Sequence, residues 1–525
     1  MTAHVLVIGG GHNGLVAANY LALSGHRVTL VEARERLGGV VGRFEYMPGY
    51  SASITNSPGS FEGLVMQELR LEEFGLRFHR PDATLLHPTR DGLFIGWRDP
   101  KLVEEQVERM AAGEFTRHRA LISRLDRLGE ATGLSLWEAP LDQDAVLDRM
   151  TPEAREEFRR LMIDGSLLEL LDDTLRSDQM KSVMMMLALN GQLLSPHAPG
   201  SAFGLMLRPI SRASGTVDVL NLRDLPLRGS VGLPIGSMAA IVEALEAAAR
   251  SHGVALRVAT RVSELRFDED GRVTAAILDS GESIEGLDAV VSTVETSLLR
   301  GLVPDGTVDD AAWPDRPDGS AFKLALALDG LPDVAHAPAG VPAETLLSTQ
   351  FRIGPEPDYI TAAVGEGIAG RPSEEPIIWG LIPSLTSPGL APEGRHLLSL
   401  NVWHAPHRLG ADYWRENGSA FADRCIAQVE AAFPGLSARI VDRRWLGPHD
   451  IEREFGLTSS NITHGVLTPA SMLNGRPSAR LTSELGRRGI VLGGAESWPG
   501  GYVTGAPGRR AALTIAQQTK GTSRE

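Results

Sequence analysis

The sequence predicts an α/β protein in which a parallel, Rossmann-type sheet domain carries a second, α+β domain inserted into it. Three observations predict this. Residues 4–8 are a short apolar run ending in glycines, followed by a helical pattern through Leu23, a Gly25 stop and a second strand at 27–31. That order of strand, turn, helix and strand opens a parallel sheet. The same texture returns near residue 231 and again near 490, so one sheet is expected to draw on separated segments. Between them, residues of about 320–405 alternate polar and apolar over several short runs, the pattern of an antiparallel sheet.

Each segment has its own support. Residues 1–70 hold the opening strands and the glycine turn. Residues 71–230 change texture, with helical patterns such as 114–128 and a methionine-rich stretch at 180–189 that reads as core filler. In 231–300, Met238, Ile241, Val242 and Leu245 sit at helical spacing. Strands follow at 254–258, 261–267 and 273–278, the last two joined by an Asp270-Gly271 turn, and another at 289–293. Residues 301–480 form the second inserted segment. In 481–525 a strand at 490–492, a glycine-rich loop and a helix over 503–517 complete the sheet domain. At 525 residues the chain exceeds the usual single-core size, as this arrangement requires.

Composition narrows the function classes. The formal charge of −15 and the lack of any basic run argue against nucleic-acid binding, because phosphate contacts need clustered Lys and Arg. The only cysteine, Cys425, excludes disulfide exchange within one chain and reads as a small hydrophobe on a helix over 421–432. No Cys/His set has zinc-like spacing, so no metal is expected. No apolar stretch reaches the ~18 residues of a membrane span, and the first residues carry no secretory pattern. The expected compartment is the cytoplasm, compatible with peripheral membrane contact, and the oligomeric state is left open.

Gly9-Gly10-Gly11-His12-Asn13-Gly14 is a G-x-G-x-x-G at a strand–helix junction. Gly9 permits the tight turn, Gly11 lets the backbone approach a pyrophosphate, and Gly14 lets the helix lie close on the strand. The helix N-terminus offers free N–H groups to phosphates. Glu32 closes the second strand, where a carboxylate accepts hydrogen bonds from an adenosine ribose. Gly38-Gly39 follow after an Arg-rich turn, and Glu-Ala-Arg-x-x-x-Gly-Gly resembles the extended phosphate wrap of glutathione-reductase-like FAD proteins. FAD is therefore expected rather than NAD, and no second glycine motif suggests a built-in NAD(P)H domain. With Asn13, Arg34 and Val262, these glycines and Glu32 are the candidate cofactor-binding residues of a Rossmann FAD-binding domain.

The chain as a whole resembles the phytoene-desaturase-like flavoproteins of the flavin amine oxidase superfamily. It is most similar in pattern to the group named pyridine nucleotide-disulfide oxidoreductase domain-containing proteins and their bacterial relatives. The residues that carry the resemblance are VIGGGHNGLVAANYLALSGHRVTLVEARERLGG (7–39), SPHAPGSAF (195–203), GLPIGSM (232–238), SPGLAPEGRH (387–396), NITHG (461–465) and GGAESWPGGYVTGAPGRRAA (493–512). The resemblance implies that Glu496 binds the pyrophosphate–ribityl region, and that the helix beginning near Val503 aims its N–H groups at the flavin, stabilising charge on reduction.

Lys323 lies in GSAFKLALALDG, where Phe322, Leu324, Leu326 and Leu328 share one strand face and Ala321, Lys323, Ala325 and Ala327 the other. A lysine among alanines suggests a narrow cavity, and by resemblance to amine oxidases it would hold water at flavin N5. Tyr502 falls where amine oxidases place a wall of an aromatic cage, and Trp498 replaces the His of the group's HPGGG. These departures weigh against a carotenoid-like substrate and toward a smaller or amine-bearing one. Lys323, Tyr502 and Trp498 are the candidate catalytic residues, with His464 and His197 as further cavity candidates. The expected reaction is dehydrogenation or desaturation of a largely apolar small molecule, with O2 or a quinone as acceptor. Oxidation of a C–N bond is the alternative within enzymes, and a flavin-bearing interaction or regulatory protein the alternative outside them.

Overall fold

The computed structural model describes residues 2–56, 61–189, 191–215 and 232–521. A five-stranded parallel sheet runs in the order Ile490–Leu492, Ala289–Ser292, His4–Ile8, Arg27–Val31, Ala255–Arg257. The central strand, His4–Ile8, is buried along its whole length because both faces are covered. Val5, Val7, Val28 and Leu30 pack into one core with the helices His12–Leu23, Ala239–Ser251 and Ala506–Gly521. Leu6, Ile8, Val31 and Val290 face the other way, onto a three-stranded antiparallel sheet, Val262–Phe267, Val273–Leu278 and Ser283–Glu285. The period-2 alternation of the strand thus feeds two separate cores.

A second sheet of seven strands runs in the order Ile440–Leu446, Phe322–Leu328, His396–Val402, Ile378–Leu381, Phe351–Ile353, Ala83–Thr89, Gly92–Trp97. Its pairs are antiparallel except that of Phe351–Ile353 with Ala83–Thr89. The last two strands come from a stretch whose sequence texture suggests mainly helices. They form a hairpin about Arg90 and Asp91, with Thr89 opposite Gly92. Every residue of Phe322–Leu328 is buried. Phe322, Leu324, Leu326 and Leu328 pack on the helix Ala411–Ala432, where Cys425 is buried and its thiol pushed up by burial. Ala321, Ala325 and Ala327 pack into a core with the helices Glu114–Ala131 and Asp178–Leu189, the second being the methionine-rich stretch.

The last helix begins at Ala506, three residues later than its sequence pattern suggests. Gly500, Gly501 and Gly505 all have positive φ (63°, 66° and 76°), which holds 500–505 as a loop. The domain boundary expected at residue 230 falls outside the described residues. Among the described residues no helix is long and apolar enough to cross a membrane.

Candidate functional site

The glycine turn separates into distinct roles. Gly9 leaves the central strand at φ 101°. A Cβ on Gly14 would lie 2.0 Å from the Gly9 carbonyl oxygen, so only glycine lets the helix sit on the turn. Around Gly11, by contrast, a Cβ would meet nothing within 4 Å, so its backbone faces free space. Glu32 is 5% exposed. Its Oε2 accepts the Gly10 N–H at 2.8 Å and its Oε1 the Arg34 N–H at 2.9 Å. The Gly38 N–H donates to the Gly10 carbonyl at 2.7 Å, which clasps the Gly38-Gly39 turn onto the glycine loop.

Gly9, Gly11, Asn13, Gly14, Glu32, Arg34, Gly38 and Gly39 line one cleft, together with His12, Thr293 and Glu295. The helix His12–Leu23 opens on this cleft with no side-chain cap and no acid in its first turn, leaving its N–H groups and dipole to a ligand. His12 Nε2 and Asn13 Oδ1 are buried without hydrogen-bond partners, one nitrogen and one acceptor for a bound group to satisfy. This set fits the diphosphate and ribose of FAD.

A second cavity, of about 740 Å³ including its open mouth, adjoins the cleft. Lys323, Asn401, Trp403, Ile451, Ile462, Tyr502 and Val503 line it, and His12, Val40, Leu457, His464 and Ala495 line both spaces. Lys323 is 1% exposed, so it does not reach solvent along its stem. Its Nζ donates to the Ile54 carbonyl at 2.8 Å, to Ser399 Oγ at 2.7 Å and to Asn401 Oδ1 at 2.7 Å. Burial holds its pKa well below the ordinary lysine value, while the three acceptors fix the nitrogen in place.

At the junction of the two spaces stand groups that the sequence motifs did not single out as a set. The His12 imidazole is pulled down to about 4, first by burial and then by the neighbouring His464, and is neutral at physiological pH. His464 Nδ1 lies 2.9 Å from Glu295 Oε1, and Glu295 Oε2 accepts the Thr458 N–H at 3.0 Å. Glu496 Oε2 accepts the Thr296 N–H at 2.5 Å, and its carboxyl is raised by burial and by the charge of Glu295. The NITHG motif is a local turn, in which Asn461 Oδ1 accepts from the N–H groups of Thr463 and Gly465 and so presents His464.

Not every expected site residue comes to the site. Trp498 is fully buried in the core and its Nε1 donates to the Ser135 carbonyl at 2.8 Å, so its indole serves packing and not the cavity. His197 is exposed on the surface. Val262 opens the strand Val262–Phe267 and packs into the core beneath the parallel sheet, lining neither space. Glu496 also lines neither, standing beside Ala495, which lines both.

The sequence signature described as "Flavin containing amine oxidoreductase" matches residues 14–516. The chain is 28% identical to "Pyridine nucleotide-disulfide oxidoreductase domain-containing protein 2" of Rattus norvegicus, over 98% of this chain and 93% of that protein. It is 28% identical to a phytoene dehydrogenase of Streptomyces griseus, over 85% of this chain and 82% of that protein. Its fold is similar to that of a putrescine oxidase variant, with a TM-score of 0.63, 15% identity and 99% of each chain covered.

Proposed function

The chain belongs to the flavin containing amine oxidoreductase family and is an FAD-dependent oxidoreductase, and we propose that it dehydrogenates a carbon–carbon bond of a largely apolar substrate. One observation carries this reading. Apolar side chains, among them Ile54, Trp403, Ile451, Leu457 and Ile462, dominate the wall around Lys323, and no Asp or Glu is among its described lining residues. A protonated amine would enter that space without a counter-charge, which is unfavourable.

FAD, when bound, supplies a two-electron acceptor for the hydride. Gly9, Gly11, Gly14, Glu32, Arg34 and the Gly38-Gly39 turn would hold it. The chain's own part in the chemistry is to bind, to exclude water and to take the second hydrogen as a proton. The neutral amine of Lys323, favoured by burial, can fill only two of its three acceptors and keeps a lone pair to take that proton, and the ammonium so formed fills all three. Dioxygen or a quinone would then reoxidise the cofactor.

Oxidation of a C–N bond is a second reading, and the presence of both Tyr502 and Trp403 in the cavity wall favours it, since two aromatic faces can flank an amine. An open cavity at Lys323 speaks for turnover over a purely regulatory role. Anaerobic bleaching of the yellow holoprotein separates these readings. Reduction by apolar compounds and not by primary amines supports desaturation, and the reverse pattern replaces it with amine oxidation.

A further inference from the structure

Lys323, Asn401, Trp379 and Arg352 stand in one row across the seven-stranded sheet. Lys323 is opposite Asn401, Asn401 opposite Trp379, and Trp379 opposite Arg352. Residues paired in this way project from the same face, and for this row it is the face that carries Lys323 and Asn401 into the cavity wall. Trp379 meets the cavity-lining Trp403 edge-on, with ring centroids 6.1 Å apart. Arg352 lies beyond it, 4% exposed, with its guanidinium carbon 4.0 Å from the centre of the Trp379 ring.

Among the described residues Arg352 is a cation without an answering charge. Its Nε and Nη1 are buried and have no hydrogen-bond partner, and no carboxylate pairs with it among the described residues. Burial lowers its pKa only to about 10, so it stays charged at neutral pH. His87, near it, is held neutral at about 3 by burial and then by the Arg352 charge. Tyr502, part of the cavity wall, acts electrostatically on Arg352 and raises its pKa against the effect of burial. Stacking on Trp379 offsets part of the cost of burial, but an unpaired buried guanidinium with open donors is strongly unfavourable in a fold that has no use for it.

We propose that Arg352 anchors a carboxylate of the substrate, so that the molecule dehydrogenated is an apolar acid whose chain runs along this row from Arg352 toward Lys323. The proposal rests on the reading of the Lys323 cavity as the site of an apolar substrate and adds the polar end of that substrate. A planar carboxylate presents two oxygens in the geometry that a guanidinium's paired donors match. Three strand spacings separate Lys323 from Arg352, ~14 Å, which sets the distance between the carboxylate and the reacting carbons to that of a medium-length chain.

The test is binding to the FAD-loaded protein, read by perturbation of the flavin spectrum and by calorimetry, with decanoate, decanamide and decylamine as probes. Decanoate should bind at least ~10-fold more tightly than decanamide. In Arg352→Met that preference should vanish while decanamide still binds, and Arg352→Lys should keep part of it. The melting temperature of cofactor-free Arg352→Met should equal or exceed that of the wild type, because an unpaired buried cation is removed. Equal affinity for decanoate and decanamide in the wild type, or a preference that survives in Arg352→Met, overturns the assignment and leaves the apolar reading standing. A fall in melting temperature of about 10 °C or more in Arg352→Met would assign the guanidinium to structural stacking instead. Binding of decylamine alone would defeat the apolar reading itself. The wild-type comparison needs no variant, so the proposal remains exposed to failure even if Arg352→Met does not fold.

Discussion

Gly14 sits so close beneath Gly9 that a Cβ on Gly14 would lie 2.0 Å from the Gly9 carbonyl oxygen, whereas a Cβ on Gly11 would meet nothing within 4 Å. Two glycines of one motif therefore stand in different surroundings, the first packed against backbone and the second open to the cleft. Gly14→Ala should destabilise the cofactor-free protein by about 3 kcal/mol or more, because the obstructing atom is backbone and cannot swing away. Gly11→Ala should leave the cofactor-free melting temperature unchanged and weaken FAD binding at least ~10-fold, through the methyl that enters the cleft. Melting curves of the cofactor-free proteins and titration with FAD check both, and equal behaviour of the two variants would contradict the division.

Glu32 also has a structural part. Sequence position suggests a ribose acceptor, but its oxygens also hold the Gly10 and Arg34 N–H groups at 2.8 and 2.9 Å. Glu32→Ala should therefore lower the stability of the cofactor-free protein by about 1.5–3 kcal/mol as well as FAD occupancy, since charge-assisted bonds to backbone are lost. Glu32→Gln, which keeps an acceptor, should recover most of the stability and less of the occupancy. A variant that loses FAD with no change in melting would show that the backbone contacts carry no weight.

Trp498 tests the distinction between core and cavity. Its indole is enclosed and bonded to the Ser135 carbonyl. Trp498→Phe should cost about 2–3 kcal/mol of stability, through the volume lost and the unpaired carbonyl. The rate of flavin reduction by a competent donor should stay within about twofold of wild type. A large fall in that rate without destabilisation would return Trp498 to the active cavity.

What was legible in the sequence was local. The glycine turn, Glu32 and the alternation of Phe322–Leu328 each depend on neighbours within one element, and all of them sit where their pattern places them. The hairpin of Ala83–Thr89 and Gly92–Trp97 was missed, although Asp91-Gly92 between apolar runs is a turn signal, because Pro88 and short runs blur the alternation. Arg352 could not be read at all. Between Phe351 and Ile353 an arginine looks like the solvent side of an edge strand, and only the pairing with Trp379 and the cover on that face make it buried. His12 was in view as a variable position of the glycine motif, but its place beside His464 depends on a loop more than 400 residues further along the chain. Trp498 shows the converse error, since motif position predicted a cavity wall and side-chain packing decided otherwise.

Lys323 gives the last and most discriminating prediction, because its burial ties stability to chemistry. Its folded-state pKa lies well below the ordinary 10.5, so between that lowered value and 10.5 the unfolded chain holds a proton that the folded chain does not. Stability contributed by this residue must then rise with pH through that window, by about 1.4 kcal/mol for each pH unit, and level off above 10.5. Lys323→Met removes the titration and leaves the Ile54 carbonyl, Ser399 and Asn401 without their donor. The stability gap between wild type and variant should therefore be small at neutral pH, where the wild type still bears the cost of desolvation, and should widen toward pH 10. Urea midpoints at pH 7, 8.5 and 10 measure it. In parallel, reoxidation of dithionite-reduced flavin by air should slow about 100-fold in the variant if the amine moves protons at the flavin. A gap that stays constant with pH, together with unchanged reoxidation, would make Lys323 a spectator held by three acceptors, and would remove the proton acceptor on which the dehydrogenation scheme depends.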